Sequence, residues 1–317
     1  MKSTAVVFNR PKKLSLQALD LPTLQVGEIE VAVQYSGIST GAERMLWDGS
    51  MAGLPGMGYP LIPGYETVGQ VVKAHKGSKH QEGELVFVPG ANCFSGVRSM
   101  YGAAASRLVV SDQHVLPVSK ELGPDAVLLA LAATAYHAVS GGGTHEPFTP
   151  PDLIIGHGVM GRLLARLTVA AGCPPPTVWE THQEMAMGAE GYEVVRPEDD
   201  SRKDYQAIYD VNGDASVLDQ LIQRLAPRGE VVLAGLYKHG LQFSYSPAFS
   251  REARIRVSAE WKRSDLLAIN ELVNDGRLSL HGLVSHVQDF HLANDAYETA
   301  FGDVSCLKMV LDWSAHA

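Results

Sequence analysis

Cysteine, positive charge and long apolar runs are all scarce in this chain of 317 residues. Its three cysteines are widely spaced and form no C-x-x-C pair, so the sequence predicts neither a disulfide framework nor a zinc knuckle. Such a chain suits a reducing compartment, and we expect it in the cytoplasm. The formal net charge of -9 argues against nucleic acid as a partner, because phosphate binding needs a basic surface.

The most apolar stretch, residues 126–139, is shorter than a bilayer requires and includes Thr, Tyr and His. We therefore expect a buried helix there and no transmembrane segment. The first ten residues are strand-like and lack the long apolar region of a signal peptide. A hydrophobic content of 45% is ordinary for a globular protein, and the length predicts two domains.

The order of the predicted elements divides the chain into a β-rich first part and an alternating second part. Short strand patterns, separated by Gly, Pro, Asn and Ser, run through residues 1–117. From residue 125 onwards helix and strand patterns alternate, which indicates a parallel sheet covered on both faces. The sequence therefore predicts an α/β protein with a doubly wound parallel sheet in its second domain.

A glycine-rich run between a strand pattern and a helix pattern is the most informative stretch. Residues 152–155 read as an apolar strand, G-x-G-x-x-G follows at Gly156, Gly158 and Gly161, and residues 162–171 read as a helix. In a dinucleotide-binding unit the first glycine makes the tight turn and the second lets the backbone approach the pyrophosphate. The third lets the helix pack close to the strand, and the helix N-terminus offers N–H groups to the phosphates.

An acid further along the chain completes the predicted cofactor site. Glu180 lies about 20 residues beyond the last glycine, where a dinucleotide unit places the carboxylate that binds the ribose 2′-hydroxyl. Thr181 and His182 follow, with no Arg or Lys to meet a 2′-phosphate, so the sequence favours NAD over NADP. A glycine turn that merely begins a buried helix is the alternative. The loop residues assigned to the cofactor are Gly156, His157, Gly158, Val159, Met160 and Gly161.

Local matches over nearly the full length resemble the medium-chain dehydrogenase/reductase superfamily. They occur at residues 134–138, 209–213, 225–235, 276–278, 284–286 and 296–298. The resemblance implies a GroES-like β-rich catalytic domain of residues 1–134 with 262–317, and a Rossmann cofactor domain of residues 135–261. It also assigns Asn212 to the cofactor site. A homodimer through sheet extension is common in the superfamily, and the sequence leaves the oligomeric state open.

The departures from zinc-dependent members of that superfamily are more informative than the matches. Where those members carry a cysteine and a histidine ligand, this chain has Ser39 and Tyr65. The third ligand region corresponds to the apolar residues 128–133, and the four-cysteine lobe that holds structural zinc corresponds to a stretch with only Cys93. Catalytic zinc needs three protein ligands that converge on one point, so the sequence predicts no metal.

Three stretches narrow the resemblance to one branch of the superfamily. Residues 36–44, 55–66 and 156–162 are similar to the zinc-free bacteriochlorophyllide dehydrogenases of bacteriochlorophyll biosynthesis. The resemblance implies that the 1-hydroxyethyl group of 3-hydroxyethyl bacteriochlorophyllide a is oxidised to acetyl, with NAD as hydride acceptor. The Met- and Trp-rich segment 45–59, too broken for a helix, either faces this planar tetrapyrrole or fills the domain's own core.

Without zinc, a side chain or a water chain must accept the proton that leaves the alcohol. Tyr65 is the first candidate because it occupies a vacated ligand position, and the alternative is an aromatic residue that only fills space. Ser39 and Thr40 either relay a proton or cap the backbone. Glu66 either accepts the proton or anchors its neighbours. The sequence leaves these alternatives open.

Two other functions fit the same residues. A zinc-free NAD(P)H quinone or enoyl reductase uses the same scaffold with less proton transfer at the site, and a preference for NADPH would favour it. A non-catalytic nucleotide-binding scaffold would retain the fold and lose the chemistry. The acid at Glu180 favours an NAD-dependent alcohol dehydrogenase over the reductase.

Overall fold

A computed structural model of the chain describes residues 1–51, 57–141 and 148–316. The strands, in chain order, are β1 (Lys2–Arg10), β2 (Lys13–Asp20), β3 (Glu28–Ile38), β4 (Leu61–Ile62), β5 (Thr67–Ala74), β6 (Leu85–Val88), β7 (Arg98–Ser99), β8 (Arg107–Ser111), β9 (Leu116–Pro117), β10 (Leu153–Ile155), β11 (Thr177–Trp179), β12 (Glu193–Val195), β13 (Tyr205–Asp210), β14 (Leu225–Leu233), β15 (Arg254–Val257), β16 (His286–Asp289) and β17 (Met309–Asp312). The α-helices are α1 (Ala42–Asp48), α2 (Leu129–Val139), α3 (Val159–Ala170), α4 (Leu218–Arg224), α5 (Tyr245–Ser250), α6 (Arg263–Asn274) and α7 (Ala293–Gly302). Short 3-10 helices span Lys120–Leu128, Ala215–Val217, Phe290–Leu292 and Ser314–His316.

The chain divides into two compact units, Met1–Ala130 with Leu280–Ala317 and Leu131–Ser279. The second unit includes α6, whereas the division predicted from the sequence places residues 262–279 in the first domain. The side chains of α6 explain this difference. Leu266 and Ile269 are buried, and His137 Nδ1 lies 2.7 Å from Asp265 Oδ2. This contact ties α6 to α2 within the second unit.

The first unit contains two sheets, ordered β2-β1-β4-β7 and β16-β17-β3-β5-β6-β9, with β8 also paired to β3. Ile29, Val31 and Val33 of β3 are fully buried, and the intervening Glu30 and Ala32 are buried as well, so this part of the strand is covered on both faces. The register pairs Ser36 of β3 with Thr67 of β5, and Ile38 of β3 with Met309 of β17. The residues that adjoin these three strands therefore lie close together, at the end of the sheet where β3 finishes and β5 and β17 begin.

The second unit is a single parallel sheet with the strand order β12-β11-β10-β13-β14-β15. Numbered by occurrence, this order is 3-2-1-4-5-6, that of a Rossmann fold. The order reverses between β10 and β13, and sheets of this kind bind ligands beyond the carboxyl ends of their strands at that point. The doubly wound parallel sheet that the sequence predicts is confirmed.

One connection in this sheet differs from the usual strand–helix–strand unit. A crossover between parallel strands commonly contains an α-helix. Residues 180–192, which join β11 to β12 and are all described, contain turns but no helix. This helix-free connection lies next to the predicted cofactor loop.

Residues 120–139 form the one helical stretch, among those described, that is long and apolar enough to cross a membrane, with a mean hydropathy of 1.3. Of its most apolar window, 61% is buried inside the protein. Gly123, with a left-handed φ of 51°, interrupts the helical geometry near its start. The stretch predicted as a buried helix is thus a 3-10 segment followed by α2.

Candidate active site

The loop after β10 has the geometry that its glycines predict. Gly156 adopts a left-handed φ of 101°, and a Cβ on Gly161 would lie 1.9 Å from the Gly156 carbonyl oxygen. A Cβ on Gly158 would meet open space, so the backbone can be approached there. Val159 and Met160 begin α3, whose first turn is capped by no described side chain. Its N–H groups therefore remain available to an anion.

Glu180 holds the glycine loop to the turn that follows β11. Its Oε2 accepts the backbone N–H of His157 at 3.1 Å, and its Oε1 accepts the N–H groups of Thr181 and His182, both at 2.8 Å. Burial raises the pKa of Glu180, but the backbone hydrogen bonds outweigh burial and hold this pKa below its usual value. The carboxylate is therefore ionised where the sequence predicts the ribose contact.

The His157 side chain is fully buried within the second unit. Its Nδ1 lies 2.7 Å from the Met185 carbonyl oxygen and its Nε2 lies 2.8 Å from the Tyr192 hydroxyl. Burial lowers the pKa of His157 to about 4, so the ring is neutral near pH 7. Both ring nitrogens are engaged, and so are the backbone groups of His157, whose N–H donates to Glu180 and whose carbonyl oxygen accepts from Arg162. The assignment of His157 to the cofactor site stays a prediction.

Arg162, which is not among the residues predicted from the sequence, reinforces the same arrangement. Its Nε donates to the His157 carbonyl oxygen at 2.9 Å, and its NH2 group donates to the Met185 carbonyl oxygen at 2.9 Å. Together, His157 and Arg162 fasten the helix-free connection to the glycine loop. An arginine among apolar residues in the first turn of α3 was the signal available in the sequence.

At the point where the strand order reverses, Asp210 ends β13 and is buried. Its Oδ2 accepts the Tyr237 hydroxyl at 2.6 Å, and its Oδ1 accepts the Asn212 N–H at 2.9 Å. Burial raises the pKa of Asp210. Asn212 itself is exposed and lies beside Gly156, whose added Cβ would be 3.7 Å from the Cβ of Asn212. The structure thus places Asn212 next to the glycine loop.

In the first unit, Tyr65 and Ser39 form a hydrogen-bonded pair. The Tyr65 hydroxyl donates to Ser39 Oγ at 2.7 Å, and the Tyr65 ring packs against Tyr101 with ring centroids 4.9 Å apart. Burial, and then the nearby charge of Glu66, raise the pKa of Tyr65 well above its ordinary value. Thr40 lies exposed just after β3. Tyr65 therefore stays protonated near neutral pH and can pass a proton on only while it receives another.

Glu66 points into the first unit and pairs with Lys308, a residue that the sequence analysis did not single out. Both side chains are buried, Glu66 completely, and Lys308 Nζ donates to Glu66 Oε2. Burial raises the pKa of Glu66, although Lys308 opposes this shift. Among the described residues, Glu66 Oε1 has no hydrogen-bond partner. A Cβ on Gly37 would lie 2.4 Å from Oε2, so only glycine leaves room for the carboxylate.

A second buried glutamate, Glu43 of α1, lies in the same cluster. Its Oε2 accepts the Ser39 backbone N–H at 3.1 Å, and its Oε1 accepts the hydroxyl of Tyr297 from α7. Burial raises the pKa of Glu43 to about 7, with a further upward contribution from the charge of Glu66. The sequence contained no local signal for this residue. Glu43, Glu66, Lys308, Tyr297, Tyr65 and Ser39 are hereafter called the buried polar cluster.

The side chains at the positions of zinc ligands are not of the types that bind zinc. Ser39 and Tyr65 present neutral hydroxyls that are bonded to each other, whereas zinc sites use thiolate, imidazole or carboxylate ligands. Glu66 is already paired with Lys308, and residues 128–133 are apolar. Within the described parts of the chain, no group of three His, Cys, Asp or Glu residues is arranged to hold a metal ion.

The Met- and Trp-rich segment packs partly into the core of the first unit. Residues 52–56 lie outside the described residues. The expectation that the segment is too broken for a helix is wrong for its start, because α1 continues to Asp48. Leu46 is buried, and the Trp47 ring lies 5.4 Å from that of Phe301. The described part of the segment therefore fills the domain's own core.

Comparison with known proteins agrees with this architecture. Residues 25–120 match the family described as Alcohol dehydrogenase GroES-like domain. The solved structure of 2R,3R-butanediol dehydrogenase from Bacillus subtilis superposes with a TM-score of 0.83 at 19% identity, over 98% of this chain and 99% of that one. This likeness is one of fold, and it confirms the predicted combination of a GroES-like and a Rossmann domain.

Two relatives are much closer in sequence. The chain is 48% identical to the 2-desacetyl-2-hydroxyethyl bacteriochlorophyllide A dehydrogenase of Cereibacter sphaeroides over the full length of both chains. It is also 48% identical to the protein of the same name from Rhodobacter capsulatus, over 99% of each. The resemblance stated from the sequence is confirmed. The chain belongs to the bacteriochlorophyllide dehydrogenase family of the medium-chain dehydrogenase/reductase superfamily.

Proposed function

We propose that this protein oxidises the 1-hydroxyethyl group of 3-hydroxyethyl bacteriochlorophyllide a to an acetyl group, with NAD as hydride acceptor and without catalytic zinc. The observation that carries the proposal is the 48% identity, over the whole chain, to dehydrogenases named for a hydroxyethyl bacteriochlorophyllide. The glycine loop and the ionised Glu180 support the choice of NAD. The neutral hydroxyl groups of Ser39 and Tyr65, at the positions of zinc ligands, support a mechanism without zinc.

Alcohol oxidation requires a hydride to leave carbon and a proton to leave oxygen. When bound, the nicotinamide ring supplies the hydride acceptor. In this proposal the substrate hydroxyl meets Tyr65, which takes up the proton while donating its own to Ser39 Oγ. The hydroxyl-bearing carbon is attached to a conjugated macrocycle, which shares its developing positive charge. Hydride loss therefore needs less alkoxide character than it does for a simple alcohol, and a metal is not required.

The test is turnover by the metal-stripped protein. We expect protein treated with a chelator, and verified by elemental analysis, to convert the hydroxyethyl pigment to the acetyl pigment with one NADH formed per product. Full dependence of turnover on added zinc would contradict the zinc-free mechanism. Binding of NADH without any turnover would instead indicate a non-catalytic scaffold.

Replacing Glu180 with alanine is expected to weaken NADH binding by about 10- to 100-fold. The change removes the proposed charge-assisted hydrogen bond to the ribose hydroxyl, and such bonds contribute about 1.5–3 kcal/mol. It also removes the acceptor of the His157 N–H, which holds the glycine loop in place. The preference for NADH over NADPH should fall together with the NADH affinity. Calorimetric titration with both nucleotides measures the two effects. Glu184→Ala, a change at an exposed carboxylate of the same connection, should bind like the unchanged protein, and equal NADH affinity in E180A would contradict the assignment.

Replacing Tyr65 with phenylalanine is expected to lower kcat/KM by about 100-fold or more, the usual contribution of a positioned proton-transfer group. The ring remains to pack against Tyr101, and only the hydroxyl that bonds Ser39 is removed. Steady-state kinetics with the pigment measure the change. Tyr101→Phe is the matched control and should retain activity. Unchanged turnover in Y65F would leave Tyr65 as a space-filling aromatic.

A further inference from the structure

We propose that Glu43 is the terminal acceptor of the proton released in the reaction, reached from the substrate through Tyr65 and Ser39. The inference rests on the proposed function and adds a residue that neither the motif nor the missing metal ligands indicate. It concerns the first unit alone, where all members of the buried polar cluster lie.

Ser39 is the residue that connects the two ends of this path. Its Oγ accepts the Tyr65 hydroxyl at 2.7 Å, and its backbone N–H donates to Glu43 Oε2 at 3.1 Å. Tyr65 and Glu43 therefore contact the same residue, Tyr65 at its side-chain hydroxyl and Glu43 at its backbone N–H. In the proposed path the Ser39 side chain changes rotamer about its Cα–Cβ bond, which turns its hydroxyl from Tyr65 towards the Glu43 carboxylate.

The charges of the buried polar cluster leave one carboxylate without a cation. Glu43 and Glu66 are both buried, and the one cation of the cluster, Lys308, bonds to Glu66. Glu43 is held by two neutral donors, the Tyr297 hydroxyl and the Ser39 N–H. A buried carboxylate stabilised by hydrogen bonds alone takes up a proton more readily than one paired with a cation.

The pKa of Glu43 agrees with this role. Burial raises it to about 7, so the group is divided between its two protonation states near neutral pH. Four groups face Glu43. They are Tyr297 from α7, Tyr65 and Glu66 from the loop before β5, and Lys308, which immediately precedes β17. A proton acceptor functions best when its pKa lies near the working pH.

Every proton and electron pair in the proposed reaction has a defined destination. The C–H electron pair of the alcohol leaves as hydride to the oxidised nicotinamide, and the carbonyl forms. The hydroxyl proton moves to the Tyr65 oxygen as the Tyr65 proton moves to Ser39 Oγ, and the Ser39 proton moves to the Glu43 carboxylate. Tyr65 and Ser39 end unchanged, and Glu43 ends neutral. Glu43, which is buried, then returns its proton through Ser39 and Tyr65 to water in the emptied substrate site before the next turnover.

The experiment is the pH profile of kcat/KM for pigment oxidation by the full-length protein. We expect kcat/KM to fall as the pH decreases through about 7, because a protonated Glu43 cannot accept a second proton. Glu43→Gln should lower kcat/KM by about 100-fold and abolish this acidic limb. E43Q should leave NADH affinity unchanged. A merely structural tether between α1 and α7 would change thermal stability and leave the limb in place.

Two further variants predict shifts of opposite direction. Tyr297→Phe removes a hydrogen bond that lowers the pKa of Glu43, so the limb should move to higher pH. Glu66→Gln removes a negative charge that raises this pKa, so the limb should move to lower pH. These two variants test the proposal even if E43Q does not fold. Glu30→Gln, at a buried carboxylate paired with Arg107 in the same unit, should leave the limb unmoved.

The outcomes separate this inference from the proposed function. An unchanged acidic limb in E43Q, or shifts of the same direction in Y297F and E66Q, would overturn the role of Glu43 while the unchanged protein still oxidises the pigment. Failure of the unchanged protein to form NADH with the pigment would contradict the proposed function itself, and the inference with it.

Discussion

Replacing Lys308 with methionine is expected to lower the free energy of unfolding by about 3–5 kcal/mol, because the change leaves Glu66 as a buried charge without its counterion. Lys308 is 1% exposed and Glu66 is completely buried, so water cannot solvate the orphaned carboxylate. Urea unfolding, followed by tryptophan fluorescence, measures the difference. The buried Trp313 lies in the same unit as the pair.

The double variant is the control for this experiment. Lys308→Met combined with Glu66→Leu removes both charges, and its stability should return close to that of the unchanged protein. Burial already raises the pKa of Glu66, and loss of Lys308 raises it further. In K308M, Glu66 destabilises the fold only at pH values at which it is ionised. The loss of unfolding free energy in K308M should therefore shrink at acidic pH, where Glu66 is protonated. A deficit below about 1 kcal/mol at neutral pH would show that the pair is solvated, as surface pairs are.

Replacing Gly161 with alanine is expected to reduce NADH affinity by about 10- to 100-fold. The added Cβ would lie 1.9 Å from the Gly156 carbonyl oxygen, so the turn between β10 and α3 must move. Relieving such a clash costs about 1–3 kcal/mol, and each 1.4 kcal/mol corresponds to tenfold in affinity. The movement displaces the N–H groups that are proposed to bind the pyrophosphate. Calorimetric titration with NADH measures the loss.

Gly158→Ala separates strain in the protein from obstruction of the ligand. Its added Cβ meets open space, so the variant should match the unchanged protein in thermal stability. It should nevertheless bind NADH more weakly, because the methyl group occupies the proposed path of the pyrophosphate. Gly302→Ala, which also meets open space and lies at the end of α7, should change neither property. Full NADH affinity in G158A would contradict the proposed binding site.

Local patterns in the sequence were sufficient to predict the cofactor fold. The strand before Gly156, the helix after it and the alternation beyond residue 125 each depend on neighbouring residues, and the structure has them in place. The same holds for the departures from zinc-binding relatives, because the identity of Ser39 and Tyr65 is itself the evidence. What these local patterns did not show was the direction of the His157 side chain. Its partners, Met185 and Tyr192, belong to a connection without a regular pattern.

The sequence by itself determined the fold class, the family and the residue types at the ligand positions, since each is written in adjacent or regularly spaced residues. Only the tertiary structure decided which charges are buried together. Lys308 reaches Glu66 across 242 residues of sequence, and Tyr297 reaches Glu43 across 254. These contacts depend on the pairing of β17 with β3 and on the packing of α7, and no local pattern encodes them. Burial among those partners is also what raises the pKa of Glu43 to about 7.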